Sequence, residues 1–407
     1  MADLRPFRAF RPPPEIAAQV ASPPYDVVST AEARALANGN AVSFLHVSRP
    51  EIGLPEGTDE HADEVYAAGR KNLTALIADG ALVQDAEPHF YLYAQRMGSH
   101  RQVGVVCCAS VAEYDADRIK KHEKTRPDKE DDRTRHIEEL AAHDEPVFLT
   151  YRKTAAIDAL AAEVQQSSPA LDFTSNDGVH HQLWVLSRSA GNSLGELFDA
   201  VPALYVADGH HRSAAASRVH RKLRGDGAEH DVFLTVVFPD DQMQILAYNR
   251  VVRDPKKRSA EALLRDIGER LDVTPLAAGD DPAPDAARSF GIYAGGRWYR
   301  ARVRSGSVDA IDPVASLDCS ICQDQILGPI FGVGDPRRDS NVDFVGGIRG
   351  VAELEKRVDQ GGWSAAIHLF PTQIEELIRV SDAGLLMPPK STWFEPKLKS
   401  GLFVHTF

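Results

Sequence analysis

The sequence predicts a mixed α+β protein, and three observations carry that prediction. Short apolar runs typical of strands alternate with helical segments along a chain of 407 residues. The hydrophobic fraction is 43%, to which 29 glycines add, and this share is typical of a folded chain and not of a disordered one. The length alone is typical of two or three domains.

The N-terminal region combines a proline-rich loop, a helix and two strands. Pro23 and Pro24 fix their φ angles and exclude helix before them, so we expect a rigid extended loop leading into a strand or turn. Residues 59–79 predict a helix that ends at Gly80. Two strand-like runs follow, at residues 90–93 and 103–109, and a turn at residues 97–99 joins them.

The middle of the chain is dense in charge and then returns to alternating elements. Residues 113–140 carry both signs of charge, which favours a solvated pair of helices broken at Pro127. An alanine-rich stretch predicts a helix ending near Gly225. The strand-like runs of this region lie at residues 147–151, 182–186 and 204–207.

The C-terminal part begins where the composition changes near Asp254, and residues 277–286 predict a boundary or a long surface loop. The remaining predicted elements are strands at 291–293 and 298–303, a helix at 317–327 and a terminal strand at 401–407. The resulting domain prediction has four parts. They are an N-terminal α/β region at residues 1–110, a catalytic core at 111–255, a C-terminal α/β region at 256–380 and a tail at 381–407 that returns to the core.

The charge balance excludes some classes of function. With 46 Lys plus Arg against 59 Asp plus Glu, the formal charge is −13, which disfavours a duplex-DNA binder because such proteins neutralise phosphates with clustered cations. The first residues lack the apolar core of a secretory signal, and no apolar run is long enough to span a membrane. Four cysteines are too few for a disulfide framework. We therefore expect a cytoplasmic protein with no membrane partner; its oligomeric state stays open.

The stretch Asp208-Gly209-His210-His211-Arg212, between a predicted strand and a predicted helix, is the most informative. A helix N-terminus offers unpaired amide donors and partial positive charge to an anion, and a glycine there allows close approach. The arginine suits bidentate phosphate contacts, the two imidazoles carry protons, and the aspartate can ligate Mg²⁺ or orient a histidine. The pattern predicts a phosphate-handling site; alternatively, the aspartate caps the helix and the histidines are surface groups.

Two further clusters offer chemistry. Glu123 is a candidate general base towards a hydroxyl. The sequence stretch around it, residues 122–126, lacks the second histidine of a zinc-protease motif. Cationic and hydroxyl side chains in the charged stretch and in the C-terminal tail are candidates for anion contacts. The full set of candidate phosphate or substrate contacts is Tyr25, Asp26, His122, Thr125, Arg126, Arg133, Gly209, Ser213, Lys390, Ser391, Thr392 and Lys397.

Other signals point away from common enzyme classes. The G-x-S-x-G run from Gly191 to Gly195 is separated from the preceding strand, so we interpret it as a loop and not as a hydrolase nucleophile turn. Cys319 and Cys322 form a C-x-x-C inside a predicted helix, with no second pair to complete a zinc site. Cys107 and Cys108 are predicted core residues. The chain lacks the glycine-rich motifs of P-loop kinases and dinucleotide-binding folds.

At family level the sequence resembles the bacterial domain-of-unknown-function 1015 proteins over essentially its whole length. The resemblance rests on segments in matching order and spacing, namely PPYDV at 23–27, FLHVSRPE at 44–51, HEKT at 122–125, ADGHHR at 207–212, NRVV at 249–252 and MPPKSTWFEPKL at 387–398. The DGHHR motif in turn resembles that of free-serine kinases with a ParB/sulfiredoxin-like fold. This second resemblance implies such a core within residues 111–255.

The kinase resemblance implies a role for each residue of the site. Glu123 would be the base for the serine hydroxyl, and Gly209 and the following amides would hold the phosphate. His210, His211 and Arg212 would stabilise the charge of the phosphate. Asp208 would orient a histidine or hold Mg²⁺. The phosphate donor stays open among ATP, ADP and pyrophosphate. The chain is longer than a bare kinase of that kind, and the interval from Glu123 to the motif is wide.

The resulting hypothesis is a small-molecule phosphotransferase, with L-serine as the expected acceptor and O-phosphoserine as the product. A hydrolase of phosphorylated small molecules would use the same residues, and sequence does not separate the two. A ParB-like nucleotide-binding or nucleic-acid-binding module is disfavoured by the charge, and a sulfiredoxin-like reductase by the lack of a cysteine in the motif. We also expect a locally positive, anion-holding cleft in an acidic body.

Overall fold

The computed structural model describes residues 2–223 and 229–407, so the predicted helix end near Gly225 lies outside the described residues. The chain divides into two units, each with its own large sheet. The first unit comprises Met1–Lys121, Thr125–Met243 and Pro396–Phe407, and the second comprises His122–Lys124 and Gln244–Glu395. The predicted change near Asp254 falls shortly after the second unit begins. The four-segment partition of the sequence stays a prediction.

The structure confirms the mixed α+β class, since strands and helices alternate throughout the described chain. In chain order the strands are β1 (Leu4–Arg5), β2 (Phe10–Arg11), β3 (Val83–Gln84), β4 (Tyr91–Met97), β5 (His100–Ser110), β6 (Ile119–Lys120), β7 (Ala142–His143), β8 (Val147–Tyr151), β9 (Leu171–Thr174), β10 (His180–Val185), β11 (Leu204–Asp208), β12 (Val232–Pro239), β13 (Ile245–Leu246), β14 (Tyr248–Val252), β15 (Leu271–Pro275), β16 (Ser289–Ala294), β17 (Arg297–Val303), β18 (Val342–Gly346), β19 (Ala365–Leu369), β20 (Trp393–Phe394) and β21 (His405–Thr406).

The helices fall between these strands. They are α1 (Ala17–Val20), α2 (Thr30–Ala37), α3 (Leu45–Ser48), α4 (Asp63–Ala78), α5 (Val111–Asp115), α6 (Pro127–Leu140), α7 (Ala155–Val164), α8 (Arg188–Asp199), α9 (His210–Leu223), α10 (Ala260–Gly268), α11 (Asp318–Cys322), α12 (Gly328–Phe331), α13 (Gly350–Gly361) and α14 (Ile374–Asp382). A π-helical turn, Gln323–Leu327, joins α11 to α12. In the described chain, no helix has the length and apolarity to cross a lipid bilayer.

The first unit is organised around one mixed sheet. Among the described residues, nine strands form it in the order β6-β11-β8-β12-β5-β4-β10-β9, with β1 added to β5. The central strand β5 is buried on both faces, which is why its run VVCCA is continuously apolar. Cys107 and Cys108 are fully buried, as predicted for core residues. β11, which ends at Asp208, pairs antiparallel with β8, so the start of β8 lies beside the end of β11.

The second unit has its own antiparallel sheet. Within residues 244–395, all of which the structure describes, six strands run in the order β15-β17-β16-β19-β14-β18. Its apolar core includes Val251, Val345 and Leu354. Residues 277–286 form a loop of this unit, between β15 and β16, so the loop alternative is the one observed.

The charged stretch 113–140 does not form the predicted pair of solvated helices. It contains α5, the short strand β6 and then α6, which begins at Pro127 in the first turn, where proline is tolerated. One face of α6 is buried although it carries charge. Arg133 pairs with Asp132 at 2.9 Å and His136 with Asp144 at 2.9 Å, so charge pairing inside the unit makes this burial possible.

The interpretation of the G-x-S-x-G run as a loop is also wrong. Residues Gly191 to Gly195 lie within α8, whose first turn is capped by the Ser187 hydroxyl accepting from the Ala190 N–H at 3.2 Å. Ser193 is exposed in mid-helix and has no strand-to-helix turn, so the dismissal of a hydrolase nucleophile stands. The predicted terminal strand at 401–407 is shorter than expected, since β21 pairs with β7 over two residues and Val404 adds a single bridge to Phe10.

Candidate active site

The candidate site is built on the turn between β11 and α9. β11 ends at Asp208, Gly209 forms the turn, and His210 begins α9. Gly209 has φ +97°, which an L side chain rarely adopts, and a Cβ at this position would lie 3.1 Å from the Arg212 guanidinium carbon. The absence of a side chain therefore lets the guanidinium of Arg212 lie directly against the backbone of the turn.

The Asp208 carboxylate is held by two cations and one amide. Lys397 Nζ lies 3.0 Å from Oδ2, the Gly209 N–H donates to Oδ1 at 2.8 Å, and an Arg212 guanidinium nitrogen lies 3.9 Å from Oδ2. Burial opposes ionisation of this group, but Lys397 and Arg212 outweigh it and hold the pKa of Asp208 well below its usual range. The Asp208 carboxyl group is therefore ionised at neutral pH.

Arg212 is buried and is anchored by the entry to β8. Its guanidinium donates to the Pro146 carbonyl at 2.5 Å. The charges of Asp208, Glu145 and Asp26 favour its cationic form against the cost of burial. An arginine that fits a planar anion is thus fixed in one orientation beside the N-terminus of α9.

The N-terminal PPYD loop and α6 complete the surroundings of Arg212. The guanidinium of Arg133 lies over the Tyr25 ring, 3.9 Å from its centroid. The Tyr25 backbone N–H donates to Glu145 Oε1 at 3.0 Å, and the Ser400 hydroxyl donates to the same oxygen at 2.9 Å. The structure therefore brings together seven of the predicted residues, which are Tyr25, Asp26, Arg133, Asp208, Gly209, Arg212 and Lys397.

Glu145 is a member of this cluster that the sequence analysis missed. It is buried, and a small cavity of about 10 Å³, room for about one water, is lined by Glu145, Arg133, Arg212 and their neighbours. Burial raises the pKa of Glu145 to about 7, although Arg212 and Arg133 favour the ionised form. The available signal was the acidic pair Asp144-Glu145 at the entry to a strand that is buried throughout.

The remaining residues of the motif are held within the first turn of α9. His210 is buried, and His211 Nε2 accepts from the Arg126 backbone N–H at 3.1 Å, which places the proton of a neutral imidazole on Nδ1. The Ser213 hydroxyl donates to the carbonyls of Gly209 and His210 at 3.3 and 3.1 Å, so it stabilises the turn.

Two candidates of the charged stretch are bonded locally. The Thr125 hydroxyl donates to Glu130. The exposed Arg126 guanidinium pairs with Asp128 at 2.7 Å. Both side chains are therefore committed to neighbours close in sequence.

Five of the predicted site residues belong to the second unit. They are His122, Glu123, Lys390, Ser391 and Thr392. The Ser391 hydroxyl donates to the Pro388 carbonyl at 2.6 Å and lies 3.1 Å from the Cys319 sulfur, and the Lys390 carbonyl accepts from Arg250 at 3.1 Å. These contacts tie the 387–392 segment to its own unit, and the binding roles of the five residues stay predictions.

The surroundings of Asp208 are mixed in charge and not uniformly positive. Each cation has a carboxylate nearby, since Lys397 and Arg212 face Asp208, and Arg133 pairs with Asp132. The expectation of a locally positive cleft stays a prediction, since the buried cations of this cluster are accompanied by compensating anions. What remains is an ionised carboxylate, two fixed cations and the amide end of a helix around one turn.

Comparisons with known proteins identify a family, but the description of that family assigns no function. A family described as "Protein of unknown function (DUF1015)" matches residues 4–320. No curated protein matches the sequence. Among solved structures, a free serine kinase in complex with AMP is similar at 11% identity, covering 73% of this chain and 91% of that chain, with a TM-score of 0.36.

Two more solved structures are similar to the same extent. A mutant free serine kinase in complex with ADP shows 12% identity, 73% and 92% coverage and a TM-score of 0.36. A conserved hypothetical protein from Pyrococcus furiosus shows 13% identity, 73% and 93% coverage and a TM-score of 0.35. At this similarity these structures carry no argument about the reaction or the substrate.

Proposed function

Since the chain belongs to the DUF1015 family, whose description assigns no function, we propose from the geometry around Asp208 that it is a small-molecule phosphotransferase. The acceptor proposed for the first test is L-serine, which would give O-phosphoserine. The observation that supports this proposal is the strand-to-helix turn at Gly209, where an ionised carboxylate, the Arg212 guanidinium and the N-terminus of α9 converge.

Each of these groups fits one requirement of phosphoryl transfer. The reaction needs an acceptor and a donor in line and needs neutralisation of charge on the transferred group, with little covalent chemistry from the protein. The amides at the start of α9 and the guanidinium of Arg212 are suited to the phosphoryl oxygens. Lys397 and Arg212 hold Asp208 ionised, and the hydrogen bonds from Lys397 and from the Gly209 N–H fix its orientation before substrate binds.

Magnesium is the metal expected in this proposal. Mg²⁺ is commonly held by one or two carboxylates together with substrate phosphates, and Asp208 supplies one ionised oxygen ligand of that kind. Because Lys397 already contacts Oδ2, the ion would share this carboxylate with the lysine. When bound, Mg²⁺ would neutralise charge on the donor phosphates.

The reaction transfers one phosphoryl group and one proton. The acceptor hydroxyl oxygen forms a bond to the terminal phosphorus of the donor, the bond from that phosphorus to the donor's bridging oxygen breaks, and the hydroxyl proton passes to a base. The resemblance of the DGHHR motif to that of free-serine kinases implies that this base is Glu123, a residue of the second unit. Glu123→Gln tests that assignment separately from the phosphate site.

The direct experiment is an assay of purified full-length protein with L-serine and Mg²⁺. ATP, ADP and pyrophosphate are supplied in separate reactions, and O-phosphoserine is measured by mass spectrometry. We expect product with at least one donor. Release of inorganic phosphate that does not depend on serine would favour a hydrolase, and no product with any donor would reject L-serine kinase activity.

A matched pair of arginine variants on α9 tests the site. Arg212→Lys keeps the charge but loses the planar guanidinium, and we expect a rate at least about 100-fold lower, equivalent to about 3 kcal/mol of transition-state stabilisation. Arg221→Gln is the control because Arg221 is exposed and contacts Asp115 and Ser217. Its rate should stay within about twofold of the native rate. Equal rates in the two variants would contradict the role of Arg212.

A further inference from the structure

Two histidines and an aspartate converge at the other end of α9. His220 lies in the last turn of α9, and His230 and Asp231 lie in the 3-10 turn Glu229–Asp231 that leads into β12. One ligand atom from each of the three side chains lies within 4.8 Å of the other two. His220 Nδ1 is 3.1 Å from Asp231 Oδ1, and the two imidazole centroids are 6.0 Å apart.

This cluster is separate from the proposed phosphate site. His220 follows the first residue of α9 by ten positions, so about 15 Å of helix lies between the two ends. All three residues belong to the first unit. The cluster therefore needs an explanation of its own.

In the described part of the chain, His230 is a buried histidine with an unsatisfied ring nitrogen, as is suited to a metal ligand. It is buried, and its ring packs edge-on against Phe407 with centroids 6.1 Å apart. Among the residues that the structure describes, its Nε2 has no hydrogen-bond partner. A buried, unsatisfied imidazole nitrogen costs free energy, and coordination of a metal ion would compensate for that cost.

The local field also favours a bound cation. The last turn of a helix carries partial negative charge, and His220 lies in that turn of α9. Asp231 adds a full negative charge, and its carboxylate is about a quarter exposed. Two more charged groups lie near the site. Glu229 adds a second carboxylate and pairs with His405 at 2.9 Å. Arg5 is a nearby cation that interacts with the charge of Asp231 and pairs with Asp3 at 2.7 Å.

We propose that His220, His230 and Asp231 form a binding site for a divalent transition metal, with Zn²⁺ the ion to test. Two imidazoles and one carboxylate are a ligand set that Zn²⁺ uses, whereas Ca²⁺ and Mg²⁺ prefer oxygen ligands throughout. Three protein ligands leave at least one position for water, and His220 and Asp231 are partly exposed, so solvent reaches the site. A bound ion would join the end of α9 to the start of β12.

The test is a Zn²⁺ titration of chelator-treated full-length protein in competition with a chromophoric chelator. We expect one tightly bound equivalent in the native protein. His220→Gln and Asp231→Asn should each weaken binding of that equivalent at least about tenfold, because each removes one ligand. Both side chains are partly exposed, so these variants are expected to fold; circular dichroism checks this.

The matched control is His180→Gln. His180 and Asp172 form another histidine–aspartate pair of the first unit, at 2.7 Å, on strands β10 and β9. Thermal unfolding provides a second readout, in which Zn²⁺ should raise Tm by the same amount in the native protein and in His180→Gln and by a smaller amount in His220→Gln. The absence of a tight equivalent, or native affinity and a native Tm shift in His220→Gln and Asp231→Asn, would overturn the proposal.

Discussion

Lys397 Nζ lies 3.0 Å from Asp208 Oδ2, and the two residues are 189 positions apart in the sequence. The contact joins the returning C-terminal segment of the first unit to the turn between β11 and α9. Lys399, two residues further along, makes a second contact of the same kind with Asp177 at 2.5 Å. The same short segment therefore supplies one lysine to the proposed site and one to a carboxylate outside the proposed catalytic cluster.

Gly209→Ala is expected to reduce both stability and activity. An alanine would be strained at φ +97°, and its Cβ would meet the Arg212 guanidinium at 3.1 Å. We expect the free energy of unfolding to fall by about 1–2 kcal/mol and the phosphoryl-transfer rate to fall at least about tenfold. Denaturant unfolding and the serine assay measure the two effects.

The control for this change is Gly178→Ala. Gly178 has φ +80°, and a Cβ there would have no atom within 4 Å among the described residues. It should lose a similar amount of stability through backbone strain and keep its activity. If Gly209→Ala were as active as Gly178→Ala, the close approach of Arg212 to the turn would have no functional importance.

Glu145→Gln is expected to change the dependence of stability on pH. Burial raises the pKa of Glu145 to about 7 in the folded protein, against an ordinary value of 4.5. Between these values the folded protein keeps a proton that the unfolded chain has released, so this group lowers native stability as pH rises through that window. Glutamine does not titrate.

The measurement is the free energy of unfolding of both proteins from pH 5 to pH 8. The difference between variant and native protein should move in favour of the variant as pH rises, by an amount on the order of 3 kcal/mol for the full shift. A difference that stays constant over this range, or that moves in favour of the native protein, would show that the pKa of Glu145 is not raised.

Ser187→Ala tests the local origin of α8. The Ser187 hydroxyl accepts from the Ala190 N–H and satisfies one of the unpaired donors of the first turn. Its loss should cost about 1 kcal/mol in the free energy of unfolding. Ser193→Ala, an exposed position within α8, should stay within about 0.5 kcal/mol of the native value. A larger cost at Ser193 than at Ser187 would contradict the capping role.

Local signals predicted the elements that local chemistry determines. The strand β8 was predicted with its observed bounds at Val147–Tyr151, and β4 and β5 were predicted to within a few residues, because continuous apolar runs are bounded there by charged or turn residues. The helix that follows the DGHHR stretch was predicted because alanines follow a glycine turn. α8 was missed since its two glycines weaken the helical pattern, and capping and packing compensate.

Part of the site depends on long-range contacts that the sequence does not predict. The helix start and the Gly209 turn, in contrast, are predictable from five adjacent residues. The burial of Glu145 was not, because it depends on the pairing of β8 with β11 and on the hydroxyl of Ser400. The buried charged face of α6 was missed for the same reason, since Asp144 is the partner that makes the burial of His136 tolerable.

The most direct test of the proposed phosphoryl-transfer site compares Lys397→Met with Lys399→Met. Both substitutions remove a lysine that contacts a carboxylate, at 3.0 Å from Asp208 and 2.5 Å from Asp177, and folding of each variant is verified by circular dichroism. The quantity measured is the serine-dependent rate of phosphoryl transfer from the most effective donor. We expect a rate at least about 100-fold lower for Lys397→Met and within about threefold of native for Lys399→Met. Equal rates in the two folded variants would contradict the proposed site at Asp208.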